Sequence, residues 1–251
     1  MKTVIVTGAS RGIGAAICRN LRTKDIHVIG VARSADVLHQ LSMEKLGPGT
    51  MEFVSGDVCD PSTVQQAIEF ATRNGNALEA LILNAGTLGP IEKLRHVDPT
   101  ESAAAFNVNV VGNLLWIHGA LPHLCKSRGR IIMTTSGVAN RPYAGFSAYC
   151  ASKAALNVLA SVLALEEPDL TVLAVDPGIV DTDMYKNFLG KGRRFMAPSQ
   201  VAFLEDLAKS GTITQPEVVA EAYARLALYA PHSESGKVVK WNDSWIKTLA
   251  Q

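Results

Sequence analysis

The chain has 251 residues, 47% of them hydrophobic, and a formal net charge of +1. That is enough apolar chain to bury one full core, and so even a charge balance offers no basic field for nucleic acid; the short run Lys191-Gly192-Arg193-Arg194 reads as a solvated loop. The first strand-like run starts at Thr3, leaving no room for a cleavable leader, and no apolar run approaches the roughly eighteen residues of a span, so a cytoplasmic protein with no membrane partner is expected.

Residues 3–6 are short, apolar and partly β-branched, which predicts a strand. Gly8-Ala9-Ser10-Arg11-Gly12-Ile13-Gly14 follows at once and leads into the helical pattern Ala15, Ala16, Ile17, Leu21. Glycines there permit positive φ and a close ligand approach, while the first turn of the helix aims unpaired N–H groups at whatever lies above it. A pyrophosphate suits that arrangement, although three residues separate Gly8 from Gly12 and the spacing is not the literal G-x-G-x-x-G. A second strand, residues 26–32, ends in Ala32-Arg33-Ser34, where an NAD site commonly carries an acid for the ribose 2′-hydroxyl. No acid stands there. Arg33, with Arg11 from the turn, offers guanidinium groups for a 2′-phosphate instead, so the expected cofactor is NADP(H).

Further strand-like runs at 52–54, 80–83, 130–134, 172–175 and 238–241 alternate with helical stretches, and no linker divides them. The expected architecture is α/β: one Rossmann-type domain over residues 1–251, a doubly wound parallel sheet of about seven strands with helices on both faces. Ligands of such sheets sit beyond the carboxyl ends of the strands, where Gly8, Asn84, Ser136 and Pro177 would lie. Asn109 is conspicuous as an amide inside an apolar helical run, a position of poor propensity that needs partners.

The most informative stretch is Tyr149-Cys150-Ala151-Ser152-Lys153, with Ser136 thirteen residues earlier. On a helix, positions i and i+4 share a face with Cβ atoms about 5 to 6 Å apart. An ammonium at about 5 Å and an effective dielectric near 20 attracts a phenolate by roughly 3 kcal/mol, enough to lower the phenol's pKa by about two and make it a workable acid.

Taken in order, these residues resemble the short-chain dehydrogenase/reductase family from Lys2 to about Trp241. Thr7 to Gly14 is similar to its cofactor turn, Asp57-Val58 to its adenine-binding pair and Asn84-Ala85-Gly86 to the motif after its fourth strand. Asn109, Ser136, Tyr149 and Lys153 match its catalytic residues, and Pro177-Gly178-Ile179-Val180-Asp181-Thr182 its nicotinamide-facing segment. The resemblance implies hydride transfer between the nicotinamide and a carbonyl or alcohol carbon. Tyr149 would be the proton donor, with Lys153 lowering its pKa and holding the nicotinamide ribose; Ser136 would bond the carbonyl oxygen and Asn109 would hold a water linking Lys153 to solvent. The NADP(H) reading and family habit imply reduction, and family members are often homodimers or homotetramers built on the helices before Lys126 and after Tyr149.

A substrate loop at about 183–210, with Met184, Tyr185, Phe188, Leu189, Phe195, Met196 and Phe203, is expected to roof the pocket, and Val138, Tyr143 and Phe146 to form the opposite wall, an apolar enclosure suited to bulky ketones. Asp181-Thr182-Asp183-Met184 and Ser235-Gly236-Lys237 look similar to sepiapterin reductases and to benzil and diketone reductases. By ungapped comparison, Lys240 stands where the former carry a pterin-anchoring aspartate, which favours a diketone or aromatic ketone. Two rival readings share the fold: an NAD(P)-dependent secondary-alcohol dehydrogenase and a non-catalytic NADP(H)-sensing regulator. Cys18, Cys59, Cys125 and Cys150 lack C-x-x-C spacing and the six histidines lack ligand spacing, so neither a disulfide frame nor a metal is expected. Ser136 has no evident histidine and carboxylate grouping of a hydrolase.

Overall fold

The computed structural model describes residues 1–211 and 213–249; Ala250 and Gln251, the end of the expected domain and of the tail Thr248-Leu249-Ala250-Gln251, lie outside the described residues. Every apolar run of the sequence becomes a strand: β1 Lys2–Thr7, β2 His27–Ala32, β3 Thr50–Ser55, β4 Ala77–Leu83, β5 Arg130–Thr134, β6 Thr171–Asp176 and β7 Val238–Lys240. They form one seven-stranded parallel sheet in the order β3-β2-β1-β4-β5-β6-β7. The interior strands are continuous in hydrophobicity because both of their faces are covered; all six residues of β2 are buried. At the edge, β7 buries only Val239, and Trp241 lies beyond the strand.

Helices α1 (Gly12–Arg22) and α2 (Ala35–Met43) cover one face of the sheet, together with α9 (Pro216–Tyr229), which packs against α1. The other face carries α3 (Pro61–Thr72), α5 (Gly112–Ser127) and α6 (Ser147–Glu166). Strand side chains divide by parity: Val4 and Val6 point into the first layer, Ile5 into the second. The remaining helices are α4 (Pro99–Phe106), α7 (Asp183–Gly192), α8 (Pro198–Lys209) and α10 (Ser244–Lys247). The chain runs outward from β1 to β3 and then returns to β4 on the other side of β1, which leaves a crevice at the carboxyl ends of β1 and β4.

Three expectations change. The substrate loop is no loop: residues 183–210 are almost entirely the two helices α7 and α8. The helical run around Asn109 is interrupted by a π-helical turn, Asn107–Val111, between α4 and α5, and such bulges often sit at functional sites. Finally, α6 is long and apolar enough to cross a membrane by length and composition, with a mean hydropathy of 1.5 over eighteen residues. Its Leu156, Ala160 and Leu163 pack on the sheet and its Lys153 is buried, so here that composition serves a core helix.

Candidate active site

At the crevice, β1 turns into α1 with Gly8 at φ 68°, a conformation side chains rarely adopt. Gly14 is glycine for a different reason: a Cβ there would lie 2.2 Å from the Gly8 carbonyl oxygen. Arg11 forms the extended N-cap of α1 without a side-chain cap, and the first turn holds no acid, so its leading N–H groups face an anion's position without competition. Thr7 fastens this turn to the next strand. Its hydroxyl accepts from the N–H groups of Asn84 (3.0 Å) and Ala85 (3.1 Å), and the Asn84 amide donates to the Thr7 carbonyl at 3.2 Å.

Ser10, Gly12 and Ile13 complete the turn, and a Cβ on Gly12 would come within 3.2 Å of the Thr182 methyl, so the end of the segment that runs from Pro177 through Gly178 and Ile179 to Thr182 lies against it. Arg11 pairs with Asp183 at 3.5 Å. Arg33 and Ser34 are exposed at the end of β2, and Arg33 has no carboxylate partner among the described residues. Asp57 accepts from the Cys59 N–H at 2.8 Å and shapes its own turn, while the Val58 carbonyl accepts from the Trp116 indole at 3.0 Å. A dinucleotide fits this set: uncapped helix N–H groups and bare glycine backbone for its phosphates, and a free guanidinium where the adenosine ribose would end.

The expected catalytic group converges beyond β4 and β5. Ser136 ends β5 as the N-cap of a short turn, its hydroxyl accepting from the Val138 N–H. Tyr149 and Lys153 share one face of α6, the ammonium lying 5.8 Å from the Tyr149 ring centroid. Lys153 donates to the Thr134 carbonyl at 2.7 Å. Fully buried Asn109 does not reach for solvent. Its Oδ1 accepts from the Thr87 N–H (2.8 Å), and its Nδ2 donates to the Thr87 carbonyl (2.8 Å) and the Ser152 hydroxyl (3.0 Å). The side-chain amide thus clasps the loop after β4 to α6. Gly86 sits between the two groups: a Cβ there would lie 3.2 Å from Asn109 Oδ1 and 3.4 Å from Lys153 Nζ.

The expected lowering of the tyrosine's pKa is absent. Burial pushes the Tyr149 phenol up to about 12, against a hydrogen bond with Ser136 that pulls it down, and the same burial lowers the Lys153 ammonium to about 8. Burial acts on both groups together, and the ammonium spends a hydrogen bond on a backbone carbonyl. Thr87, Thr134 and Ser152 were not legible as site residues, since backbone carbonyls and small hydroxyls carry no spacing signature.

The expected roof and wall are not separated. Phe146 is fully buried and stacks on Phe188 at 4.1 Å, with Tyr143 edge-on to Phe188 at 5.3 Å. Val138, Leu88, Met184, Tyr185, Leu189 and Met196 complete one apolar cluster around Tyr149. The Met184 sulfur lies 3.9 Å from the Tyr149 hydroxyl, and Tyr185 donates to the Leu204 carbonyl at 2.9 Å, tying α7 to α8. Phe195 rests over Gly145, whereas Phe203 is exposed and stands apart. A cavity of about 330 Å³ opens beside the cluster between Asp176, Gly178, Ile179 and Lys240. A second, of about 430 Å³, lies along α7 between Asp181, Tyr185 and Arg193; neither is lined by Tyr149 itself.

A buried tyrosine and lysine on one helix, beside a glycine turn at the switch point of a parallel sheet, define a nucleotide-dependent oxidoreductase. The short chain dehydrogenase profile matches residues 2–191, and the chain belongs to that family, whose members use NAD(P)(H). It is 36% identical over 242 residues to an uncharacterized oxidoreductase of Schizosaccharomyces pombe, with 96% of both chains covered. It is 33% identical over 254 residues to the (S)-benzoin-forming benzil reductase of Saccharomyces cerevisiae, again with 96% of both covered. The crystal structure of a short-chain dehydrogenase/reductase from Saccharomyces cerevisiae superposes with a TM-score of 0.93 at 33% identity, covering all of both chains.

Proposed function

We propose that the protein is an NADPH-dependent carbonyl reductase acting on a ketone or diketone of the benzil type, with Tyr149 as the proton donor. The observation that carries this reading is the place of the Tyr149 hydroxyl. It lies against Ser136 on one side and the apolar cluster of Met184 and Phe188 on the other, one helical turn from Lys153. Bound NADPH supplies the hydride. Tyr149, held protonated by burial, gives its proton to the carbonyl oxygen as charge develops there, and Ser136 donates a hydrogen bond to the same oxygen. Lys153 is cationic at neutral pH and fixed by Thr134, so it presents a stationary positive charge beneath the phenol. The apolar lining excludes water and favours a bulky, aromatic substrate, in keeping with the benzil reductase relative.

Arg33 supports NADPH over NADH: it is a guanidinium without a carboxylate partner among the described residues, where an acid would otherwise meet the ribose. Copies of the chain would pair through α5 and α6, whose outer faces expose Leu114, Val158, Val162 and Leu165. The deciding experiment is a carbonyl panel run with NADPH and NADH, with chiral analysis of the product. Reduction of benzil-like diketones with NADPH is expected. Faster turnover with NADH, or of sepiapterin over diketones, would overturn the assignment of cofactor or substrate respectively, and tight NADPH binding without turnover of any carbonyl would point to a sensor.

A further inference from the structure

Asp176, the last residue of β6, lies at a junction that the reaction scheme above does not use. Its Oδ1 accepts from the Gly178 N–H at 2.9 Å, which shapes the Pro177-Gly178 turn. Its Oδ2 packs on the neighbouring turn so closely that a Cβ on Gly137 would lie 3.2 Å away. The backbone of Asp176 is fixed as well, by pairing with Lys240 and by accepting from the Trp241 N–H at 3.0 Å.

We propose that Asp176 is a positioning residue of the reaction, its carboxylate bonded to the turn that opens the 177–182 segment and packed against Gly137 in the turn that carries Ser136. One side chain thereby holds the hydroxyl that meets the substrate in register with the loop that covers the cofactor. The inference rests on the roles given to Ser136, Tyr149 and that loop above. A glycine at 137 follows from it, since a larger residue would press on the carboxylate. The groups facing Asp176 are Tyr149 on α6, Tyr223 on α9 and Lys240 on β7. Burial chiefly, and the Asp176 charge as a smaller contribution, keep the Tyr149 and Tyr223 phenols protonated. The carboxylate therefore also favours the acid form of the proton donor.

Two substitutions separate the clamp from the charge. Asp176→Asn keeps an acceptor for Gly178 N–H but removes the charge; Asp176→Ala removes both. NADPH affinity is read from cofactor fluorescence, and kcat and the pH profile of kcat/KM from benzil reduction by the full-length protein. Asp176→Ala should weaken NADPH binding about tenfold and lower kcat about tenfold, the scale of one hydrogen bond to a charged group. Asp176→Asn should restore binding to within about twofold, with its alkaline limb moved toward lower pH because the phenol ionises more easily. Wild-type affinity and kcat in Asp176→Ala, with an unmoved profile in Asp176→Asn, would overturn the proposal. Should the alanine variant fail to fold, Gly137→Ala displaces the carboxylate instead; it should lower kcat and NADPH affinity together, and wild-type values in it count equally against the clamp. If the wild type reduces no carbonyl yet Asp176→Ala still weakens NADPH binding, the carbonyl reading fails and the clamp stands; an active wild type with indifferent variants gives the reverse.

Discussion

The glycine turn and the α7–α8 flap meet where Arg11 pairs with Asp183, and they are built on different principles. The turn is made of backbone: Gly8 and Gly14 are there for φ and for space, and Thr7 and Asn84 lock it with hydrogen bonds between 3.0 and 3.2 Å. The flap is made of side chains, with Phe188 stacked on Phe146 and Met184 resting on the Tyr149 hydroxyl. Backbone geometry admits few substitutes, whereas apolar packing tolerates many. The turn should therefore be brittle and the flap adjustable, which is the division expected where the cofactor is constant and substrates vary.

The largest effect falls on the tyrosine that the flap covers. Tyr149→Phe should lower kcat about a thousandfold or more, the scale of losing a general acid, with NADPH affinity within about twofold. Retained activity in the folded variant would contradict the scheme.

Burial of Lys153 makes the second prediction, in stability. Its ammonium is held at about 8 when folded against 10.5 ordinarily, so between those pH values the unfolded chain binds more protons and stability rises with pH. Below pH 8 the burial penalty is present in full, about 3 kcal/mol, and it is relieved as pH climbs. Denaturant melts of wild type and Lys153→Met should show the wild type gaining on the variant from pH 8 to 10.5; a constant difference would refute it.

The remaining two set turn against flap. Gly14→Ala must move the Gly8 carbonyl by more than a soft contact allows, which should cost about 1 to 3 kcal/mol of stability and most of the NADPH affinity. Met184→Ala removes only an adaptable thioether and should change kcat/KM for a bulky diketone less than about tenfold, with near-normal melting. If Met184→Ala proved as damaging as Gly14→Ala, the contrast between the regions would be void.

What could be read from the chain follows the same division. The interior strands were legible because a strand buried on both faces must be a continuous apolar run, as in β2 and β6. The glycine turn and the Tyr149-Lys153 pair were legible because backbone turns and i, i+4 helix faces fix spacing along the sequence. The flap was not: residues 183–210 read as a loop, and α7 and α8 dock Phe188 and Leu204 into the cluster around Tyr149. Nor was Asp176, since an acid beside Pro-Gly looks like ordinary turn chemistry until Gly137 is seen against its carboxylate.

The sequence by itself determined the sheet, the glycine turn and which residues meet at the carboxyl ends of the strands, because each depends on local periodicity or on backbone that favours glycine. The tertiary structure alone decided the charge state of the pair at its centre. Whether an ammonium lowers a phenol's pKa depends on how much water both lose, and that is set by the packing of other elements over Tyr149 and Lys153.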